Sequence, residues 1–481
     1  MDKIPIQQRS TRSKLPIVLV LIAGSFLSLL NQTLLLTATP QIMLDLDLTE
    51  NTVQWLTTVF MLVNGIMIPI TAFLMETFTT RKLFMTSMCV FFIGTVICAI
   101  ALNFPILMFG RIIQAIGAGI LMPLMMTVLI MIFPIERRGT IMGTVGLVIS
   151  FAPALAPVIA GWLIEFIHWR FLFLIVLPLV IIDIIFAYFV LKNVITRTFP
   201  KVDFISIALS TIGFGGLLFG FSTIGSNEQF NYVTFGVIIL GFISLGFFIR
   251  RQFILKQPVL EFRVFQNKTF RITTVIGMVG FMGLISSETI LPIYMQNMAS
   301  FTALDAGMMM LPGALLMGFL SPIVGRIFDH IGARWLLIIG LGITTITTLL
   351  FTNLSADTTL TYLTVVFTIR MLGLSMILMP ATTAGINQLP RHLIPHGTAM
   401  NNTMRQVGAS IGTALLVSMM TSRFIIGDVA ESNTEAFIHG VNVSFYAATA
   451  ITFIAFILAF FVRDREKHRV KQVMRKAVGE E

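Results

Sequence analysis

One carboxylate stands in an apolar stretch where a charged side chain is costly. Glu288 lies within "GLISSETILPIYMQ", inside an otherwise uncharged run from 272 to 296. A charge near the centre of a bilayer costs about 2.5 to 3.5 kcal/mol on insertion scales, so such residues usually face a cavity or a partner. A carboxylate there can bind a proton or a cationic substrate, and competition between the two is the minimum that an antiporter needs. The alternative is a structural polar cluster with Ser286, Ser287 and Thr289, or an ion pair with an arginine.

Other residues with chemically active side chains are few. The remaining charged residues near the middle of apolar runs are Asp183, Arg111, Arg370 and Arg405. Each could serve proton coupling or make a structural polar contact or ion pair, and both alternatives stay open. His392 and His396 are four residues apart, but Pro395 predicts a loop and no carboxylate adjoins, so no metal site is expected.

The elements that must position these residues are long apolar runs. Of 481 residues, 56% are hydrophobic and only 11% are charged, against about 25% charged in soluble domains. The composition therefore predicts an all-α integral membrane protein. Runs of about 18 to 26 mostly apolar residues can cross a bilayer as helices. Fourteen such runs are present: 16-38, 53-75, 83-101, 106-131, 140-166, 171-191, 204-224, 233-249, 272-296, 306-325, 335-353, 360-387, 398-422 and 444-462.

The fourteen runs group as six, two and six. The predicted segments are an N-terminal segment (1-15), a first six-helix half (16-191), two inserted helices (204-249), a linker (250-271), a second half (272-462) and a basic tail (463-481). Most of the 32 Lys and Arg residues fall in the two termini and in loops on one side. The positive-inside rule makes that side cytoplasmic, with both termini on it. The net charge of +10 then predicts contact with anionic lipid headgroups, and no nucleic-acid partner.

An internal repeat relates the two halves. The stretch "AFLMETFTTRK" (72-82) is similar to "GRIFDHIGARW" (325-335), and "FGRIIQAIGAGILMP" (109-123) is similar to "FTIRMLGLSMILMP" (367-380). The offset of about 255 residues aligns Glu288 with the segment Asn31, Gln32 and Thr33. Halves related by an axis along the membrane normal would bring these segments face to face. We expect the four residues to line a central substrate cavity.

These motifs resemble the major facilitator superfamily, in particular its fourteen-span drug:proton antiporters of the lincomycin-resistance and quaternary-ammonium-efflux type. "GRIFDHIGAR" matches the signature after span 2, and the first-half copy is degraded at Ala72, Glu76 and Thr79. Span 4 matches through Arg111, Gln114, Gly117 and Gly119. The stretches "GLVISFAPALAPVIAGW", "HWRFLF" and "MNNTMRQVGASIG" match further family segments in order. One departure stands out, because Asn31 replaces the aspartate that the family commonly has in span 1.

The resemblance implies a major facilitator fold of 14 transmembrane helices (6 + 2 + 6) in two pseudo-symmetric halves that alternate access. It ties Arg111 to proton coupling, and it slightly favours a structural contact for Asp183, whose helix is usually peripheral in the superfamily. It implies a cytoplasmic gate in which Asp329 could accept hydrogen bonds from a helix N-terminus while arginines reach across the seam. The gating residues are Glu76, Arg81, Lys82, Gly325, Arg326, Asp329, Gly332 and Arg334.

Two sets of small residues predict close helix contact. Gly408 and Gly412 form a predicted packing pair in span 13. The second set forms the antiporter-motif helix of span 5, either as a seam that prevents leak or as plain packing. Its members are Ala152, Pro153, Ala156, Pro157, Ala160 and Gly161.

The predicted function is proton-coupled export of amphipathic drugs by a monomeric, non-enzymatic carrier in a bacterial plasma membrane. Asn31 favours neutral or weakly basic, lincosamide-like substrates. No G-x-x-x-x-G-K-[ST] loop occurs, so the proton motive force is the expected energy source and no cofactor is expected. The alternatives are export of one physiological compound, such as a lipid, peptide or metabolite, and a membrane sensor or lipid-handling scaffold that does not transport.

Overall fold

A computed structural model describes residues 11–195, 197–198, 202–225, 232–422 and 433–463. The described chain is all-α, which agrees with the predicted class. The expected N-terminal segment and basic tail lie mostly outside the described residues. The helices are α1 (Thr11–Asp45), α2 (Glu50–Thr77), α3 (Thr80–Ala99), α4 (Phe104–Ile132), α5 (Arg138–Phe166), α6 (Phe171–Leu174), α7 (Val176–Val190), α8 (Phe204–Gly225), α9 (Tyr232–Ile254), α10 (Lys268–Asn297), α11 (Ala303–Ile331), α12 (Ala333–Leu350), α13 (Leu360–Ile386), α14 (Ile394–Ser422) and α15 (Asn433–Ala459).

The predicted runs correspond to these helices, with α6 and α7 together forming the sixth. Within the described residues, thirteen helices are long and apolar enough to cross a membrane. The remaining long helix is α14, whose 29 residues include Asn401, Asn402, Arg405 and Gln406. Polar side chains of this kind are costly against lipid, so we expect this part of α14 to face other helices or an internal space.

Local sequence signals begin and end the helices that carry the signature motifs. Thr79 accepts a hydrogen bond from the Lys82 amide and starts α3. Thr302 and Asp305 form a reciprocal capping box at the start of α11. Gly332 ends α11 and precedes α12 with a φ of 88°. That left-handed backbone explains why the motif has glycine at this position.

The packing divides the bundle as the repeat predicts. Among the first helices, α4 packs on α2 and α3, and α5 packs on α1. In the second set, α10 packs on α14, and α13 packs on α11 and α12. The pair α8 and α9 pack on each other, and α8 also contacts both α2 and α14. The domain boundaries themselves stay a prediction.

Contacts between the two halves concentrate at one end of the bundle. We call this end the basic face; it holds the turns between α2 and α3, α4 and α5, α11 and α12, and α13 and α14. The largest contact is between α5 and α11. It runs from Asp329 and Gly139 at the basic face to the rings of Phe151 and Phe319, which meet edge to face with centroids 5.1 Å apart. The described chain is therefore closed at the basic face.

Candidate functional site

Arg111 on α4 is the centre of a buried polar network in the first half. Its Nη1 donates to Asn31 Oδ1 at 3.1 Å and to Gln114 Oε1 at 2.6 Å. Its Nε donates to the Leu56 carbonyl at 3.4 Å, and its guanidinium lies over the Phe60 ring. The arginine thus joins α4 to α1 and α2. No carboxylate among the described residues pairs with it, and Nη2 has no partner.

Asn31 is part of this network rather than of an accessible surface. Its side chain is only 1% exposed, because its carbonyl oxygen is directed at Arg111. Gln32 and Thr33 are half-buried, and the Thr33 hydroxyl donates to carbonyls of its own helix, Leu29 and Leu30. The predicted cavity segment of α1 is therefore accessible at Gln32 and Thr33 and closed at Asn31.

Glu288 on α10 has a different environment. It lies deep inside the bundle with protein around it, yet its side chain stays partly accessible. These two facts together place it beside an internal space. It makes no hydrogen bond or ion pair with any residue that the structure describes. Helices α1 and α10 are not extensively packed on each other, and no hydrogen bond between described residues joins Glu288 to the α1 segment aligned with it.

Asp183 on α7 is buried outside this space. Its side chain is 5% exposed and Oδ2 has no partner. A Cβ atom added at Gly24 would lie 2.9 Å from Asp183 Oδ2 and 2.8 Å from the Phe84 ring. The carboxylate is therefore held between α1 and α3, on the side of α1 where α7 packs.

Arg370 on α13 corresponds by the repeat to Arg111 and also ties helices together. Its Nη1 donates to Thr348 Oγ1 at 2.7 Å, and Nη2 donates to the Gly283 carbonyl at 2.8 Å. It joins α13 to α12 and α10. These contacts account for a structural role of Arg370.

Arg405 on α14 is buried without comparable partners. Its guanidinium lies over the Phe281 ring, 4.4 Å from the centroid. Nearby, α10 and α14 approach closely at the predicted glycine pair, since a methyl group at Gly408 would overlap Met278 and one at Gly412 would overlap Met282. Gly408 and Gly412 thus make the close packing expected of them.

At the basic face, Asp329 joins α11 to the start of α5. Its carboxylate accepts hydrogen bonds from the amides of Gly139 and Thr140 at 2.7 and 2.8 Å and from the Thr140 hydroxyl at 2.6 Å. These amides belong to the first turn of α5 and have no partner within their own helix. A carboxylate at that end is also favoured by the helix dipole.

The repeat-related acid, Glu76, makes a different contact. Its Oε1 lies 3.1 Å from His396 Nε2 in the first turn of α14, and His396 Nδ1 accepts from the Glu261 amide at 3.3 Å. The expectation of a loop at His396 without a neighbouring carboxylate is wrong. The sequence places Glu76 and Glu261 far from this histidine, and only the packing of α2 and the linker against α14 brings them together.

The physical reason for this asymmetry lies in the helix starts. Gly139 and Thr140 fall in the first turn of α5, whereas the similar pair Gly397 and Thr398 follows three residues into α14. Their amides are therefore already used within α14, and Pro395 has no N–H to offer. The His396 ring takes the place of the missing backbone donors.

The basic residues of the two signatures behave differently from expectation. Arg81 turns to its own half, where its guanidinium lies 4.2 Å from the centroid of the Tyr188 ring, and Lys82 lies over Phe78. The expected reach of an arginine across the seam is therefore wrong for Arg81. Arg138 makes such a contact instead, donating to Asn387 Oδ1 at 2.9 Å.

The glycines that let α5 approach α11 were missed by sequence reasoning. A methyl group at Gly139 or Gly143 would overlap α11, and one at Gly146 would lie 2.8 Å from Ser321. Their spacing of four and three residues marks one helix face and could have revealed them. Ala152, Ala156 and Ala160 are fully buried further along, and Pro153 is half-buried. The burial of Pro157 and Gly161 lies outside what the structure describes.

Comparisons with known proteins agree with the helical architecture. The sequence profile described as "Major Facilitator Superfamily" matches residues 21–413. The "Uncharacterized MFS-type transporter YcnB" of Bacillus subtilis is 53% identical over 95% of this chain and 97% of its own. The "Lincomycin resistance protein LmrB" of the same organism is 39% identical, covering 93% of this chain and 96% of its own. A crystal structure of the human organic anion transporter MFSD10 superposes with a TM-score of 0.69 over 93% of this chain and 99% of that chain, at 13% identity. The last likeness concerns the fold alone.

Proposed function

This chain belongs to the major facilitator superfamily of transporters, and from that premise we propose that it exports amphipathic drugs in exchange for protons. An exporter loads its substrate from the cytoplasmic side. The positive-inside rule indicates that this side is the basic face. The membrane is then a bacterial plasma membrane, and the carrier works as a monomer. The energy source is the proton motive force.

The observation that carries the proposal is the environment of Glu288. A carboxylate that is surrounded by protein, partly accessible and unpaired can take up a proton and release it again without breaking a salt bridge. If substrate occupies the same internal space, proton and substrate compete for one position. Arg111 supports coupling from the first half through its contact with Asn31, and Asp183 is the second candidate carboxylate.

The closed basic face supports alternating access. The contacts of Asp329 with α5 and of Glu76 with His396 join the halves at that face. In an exporter these contacts must break when the carrier opens to the cytoplasm to load substrate. Gating is thereby assigned to Glu76 and Asp329, with Gly325, Arg326, Gly332 and Arg334 completing the signature of the second half.

The substrate class is inferred from the residue types of α1. Asn31 supplies a neutral amide where the family commonly has a carboxylate, so α1 offers no charge for a permanent cation. We therefore propose neutral or weakly basic, lincosamide-like drugs, in line with the relative named for lincomycin resistance.

The test combines cells and vesicles. Bacteria lacking their own exporters should tolerate more lincomycin when they produce this protein, and inside-out vesicles should release protons from the lumen when lincomycin is added. Asp329→Asn, produced at the same level as the wild type, is the variant that weakens the contact between α11 and α5 at the basic face. Proton-independent lincomycin export would reject coupling, and unchanged lincomycin tolerance with unchanged proton flux would reject drug export.

A further inference from the structure

The three buried arginines differ in how their donors are used. Arg111 and Arg370 donate to oxygen atoms on neighbouring helices. Arg405 makes no hydrogen bond or ion pair with any described residue, although its side chain is only 4% exposed. Its Nε and Nη1 are both buried without a partner. A buried cation with unused donors is costly unless something else accepts from it.

A second unused donor lies one helical turn away. Asn401 is on the same face of α14, four residues before Arg405. It is 1% exposed; its oxygen accepts from Thr382 Oγ1 at 3.4 Å, while its Nδ2 has no partner. The Thr274 hydroxyl on α10 is also buried and unpaired. Because α10 and α14 run side by side with Met278 against Gly408, Thr274 lies at the same level as these two residues.

The aromatic ring under Arg405 connects this cluster to the internal space. Phe281 belongs to a half-buried stripe of α10 that continues through Ile285 to Glu288 and Pro292. The spacing of four, three and four residues keeps all of them on one helix face. Phe281 and Glu288 are seven residues apart, which is about 10 Å along the helix. The part of the stripe from Phe281 to Glu288 therefore has the unpaired guanidinium of Arg405 at one end, an unpaired carboxylate at the other and the apolar Ile285 between them.

We propose that Arg405 and Asn401, with Phe281 beneath the guanidinium, form a subsite for an acidic group of the transported molecule, such as a carboxylate, sulfonate or phosphate. Unused N–H donors of an arginine and an amide fit an oxyanion. The apolar stripe fits the body of an amphipathic molecule. A free inorganic ion would not need such a stripe. This inference rests on the proposed export of amphipathic molecules, and it adds amphipaths that carry an acidic group, or are zwitterionic, to the neutral and weakly basic drugs proposed above.

Matched ligands test the subsite directly. We would titrate 6-phenylhexanoate, 6-phenylhexanamide and 6-phenylhexylammonium by calorimetry into the full-length protein in lipid nanodiscs, in gluconate buffer, with empty nanodiscs as blank. The wild type should bind the carboxylate roughly tenfold or more tighter than the amide, as expected for a charge-assisted hydrogen bond. Arg405→Gln should remove this preference, and Arg405→Lys should retain part of it. Arg250→Gln, at an exposed arginine of α9, should change nothing.

Glu288→Gln separates the two ends of the stripe. It should weaken binding of the ammonium ligand and leave the preference for the carboxylate over the amide intact. If folded wild-type protein binds acid and amide equally, the subsite does not exist. If chloride in place of gluconate stabilises the wild type but not Arg405→Gln, without any acid preference, the cluster is an inorganic ion site and the proposal is wrong.

The binding assay does not depend on export. Failure of lincomycin export with an intact acid preference would reject the proposed drug and keep the subsite. Loss of the acid preference with intact lincomycin export would reject the subsite and keep the proposed function.

Discussion

Glu76 Oε1 and His396 Nε2 lie 3.1 Å apart and join α2 of the first half to the first turn of α14 in the second. Nδ1 of the same ring accepts from the Glu261 amide, so Nε2 carries the hydrogen and donates to Glu76. Both ring nitrogens are thus hydrogen-bonded, and the ring joins three separate segments of the chain. Its side chain is 5% exposed, and water cannot easily replace these partners.

We expect His396→Ala to loosen the basic face, because it leaves a carboxylate and a buried amide without a partner. The loss should favour the open form by roughly 1 to 3 kcal/mol, which is about 5- to 150-fold in the ratio of open to closed protein. The measurement is maleimide labelling of a cysteine at Ser321, which is 2% exposed in the α5–α11 seam, in a Cys89→Ser background because Cys89 is exposed. His392→Ala, at an exposed histidine one turn earlier, is the control. Equal labelling rates in the two variants would contradict the role of His396.

Gly325→Ala should separate α5 from α11. A Cβ atom at Gly325 would overlap the Gly139 carbonyl, and backbone cannot move aside as a flexible side chain does. Overpacking of this kind costs about 1 to 3 kcal/mol, so thermal stability and transport should both fall. Gly246→Ala on α9 has nothing within 4 Å of the added atom and should be neutral or slightly stabilising. The measurement is the unfolding temperature of the two variants in nanodiscs. Equal temperatures would show that the seam between α5 and α11 tolerates the methyl group.

Glu288→Gln should uncouple transport from protons. Glutamine keeps the shape of the side chain but cannot exchange a proton, so drug-driven proton release from vesicles should be lost. Asp357→Asn, at an exposed turn, is the control that should retain it. Asp183→Asn tests the second carboxylate, which is buried between α1 and α3. If proton release survives in Glu288→Gln and disappears in Asp183→Asn, the coupling carboxylate is Asp183 on α7 and the assignment to Glu288 is wrong.

The contact between Asp203 and Arg251 gives a pH dependence of stability. Two hydrogen bonds from the arginine, Nε to Oδ2 at 2.7 Å and Nη2 to Oδ1 at 2.9 Å, lower the pKa of the Asp203 carboxyl below its usual value. A lowered pKa in the folded state stabilises the protein above the unfolded value of about 3.9. This stabilisation is lost as pH falls through the lower folded value.

Asp203→Asn should therefore lower the free energy of unfolding at pH 5 to 7, and its effect should shrink as pH falls below about 3.9. The contribution is small because Arg251 is 36% exposed and solvent screens the pair. Thermal unfolding in nanodiscs across this pH range measures it. An effect of Asp203→Asn that grows towards low pH would show that the sign is wrong.

Several features of the site could be predicted because they depend on local sequence. The fourteen apolar runs correspond to helices, since length and hydropathy decide which segments can cross a bilayer. The repeated signature placed Glu76 and Asp329 at corresponding turns, and Gly332 occurs where the backbone needs a positive φ. The close approach at Gly408 and Gly412 followed from two small residues one turn apart on a helix face.

Other features depended on where each helix begins and which helix it meets. Asn31 was expected beside substrate, but the packing of α4 on α1 directs its oxygen to Arg111. Arg81 was expected across the seam, but Tyr188 offers a ring in its own half. The repeat suggested equal gates, yet α14 begins two residues earlier than α5 relative to the Gly-Thr pair, and this shift replaces backbone amides with the His396 ring.

The sequence by itself therefore determined the membrane-spanning helices, their relation by an internal repeat and the presence of charged residues inside them. The tertiary structure decided which of those charges are satisfied. Glu76 and His396 are 320 residues apart, and no local pattern links them. Arg111, Arg370 and Arg405 look alike within apolar runs. The packed neighbouring helices supply acceptors to the first two and none to Arg405. Hydropathy and helical periodicity are properties of one segment, whereas hydrogen-bond satisfaction is a property of the packed bundle.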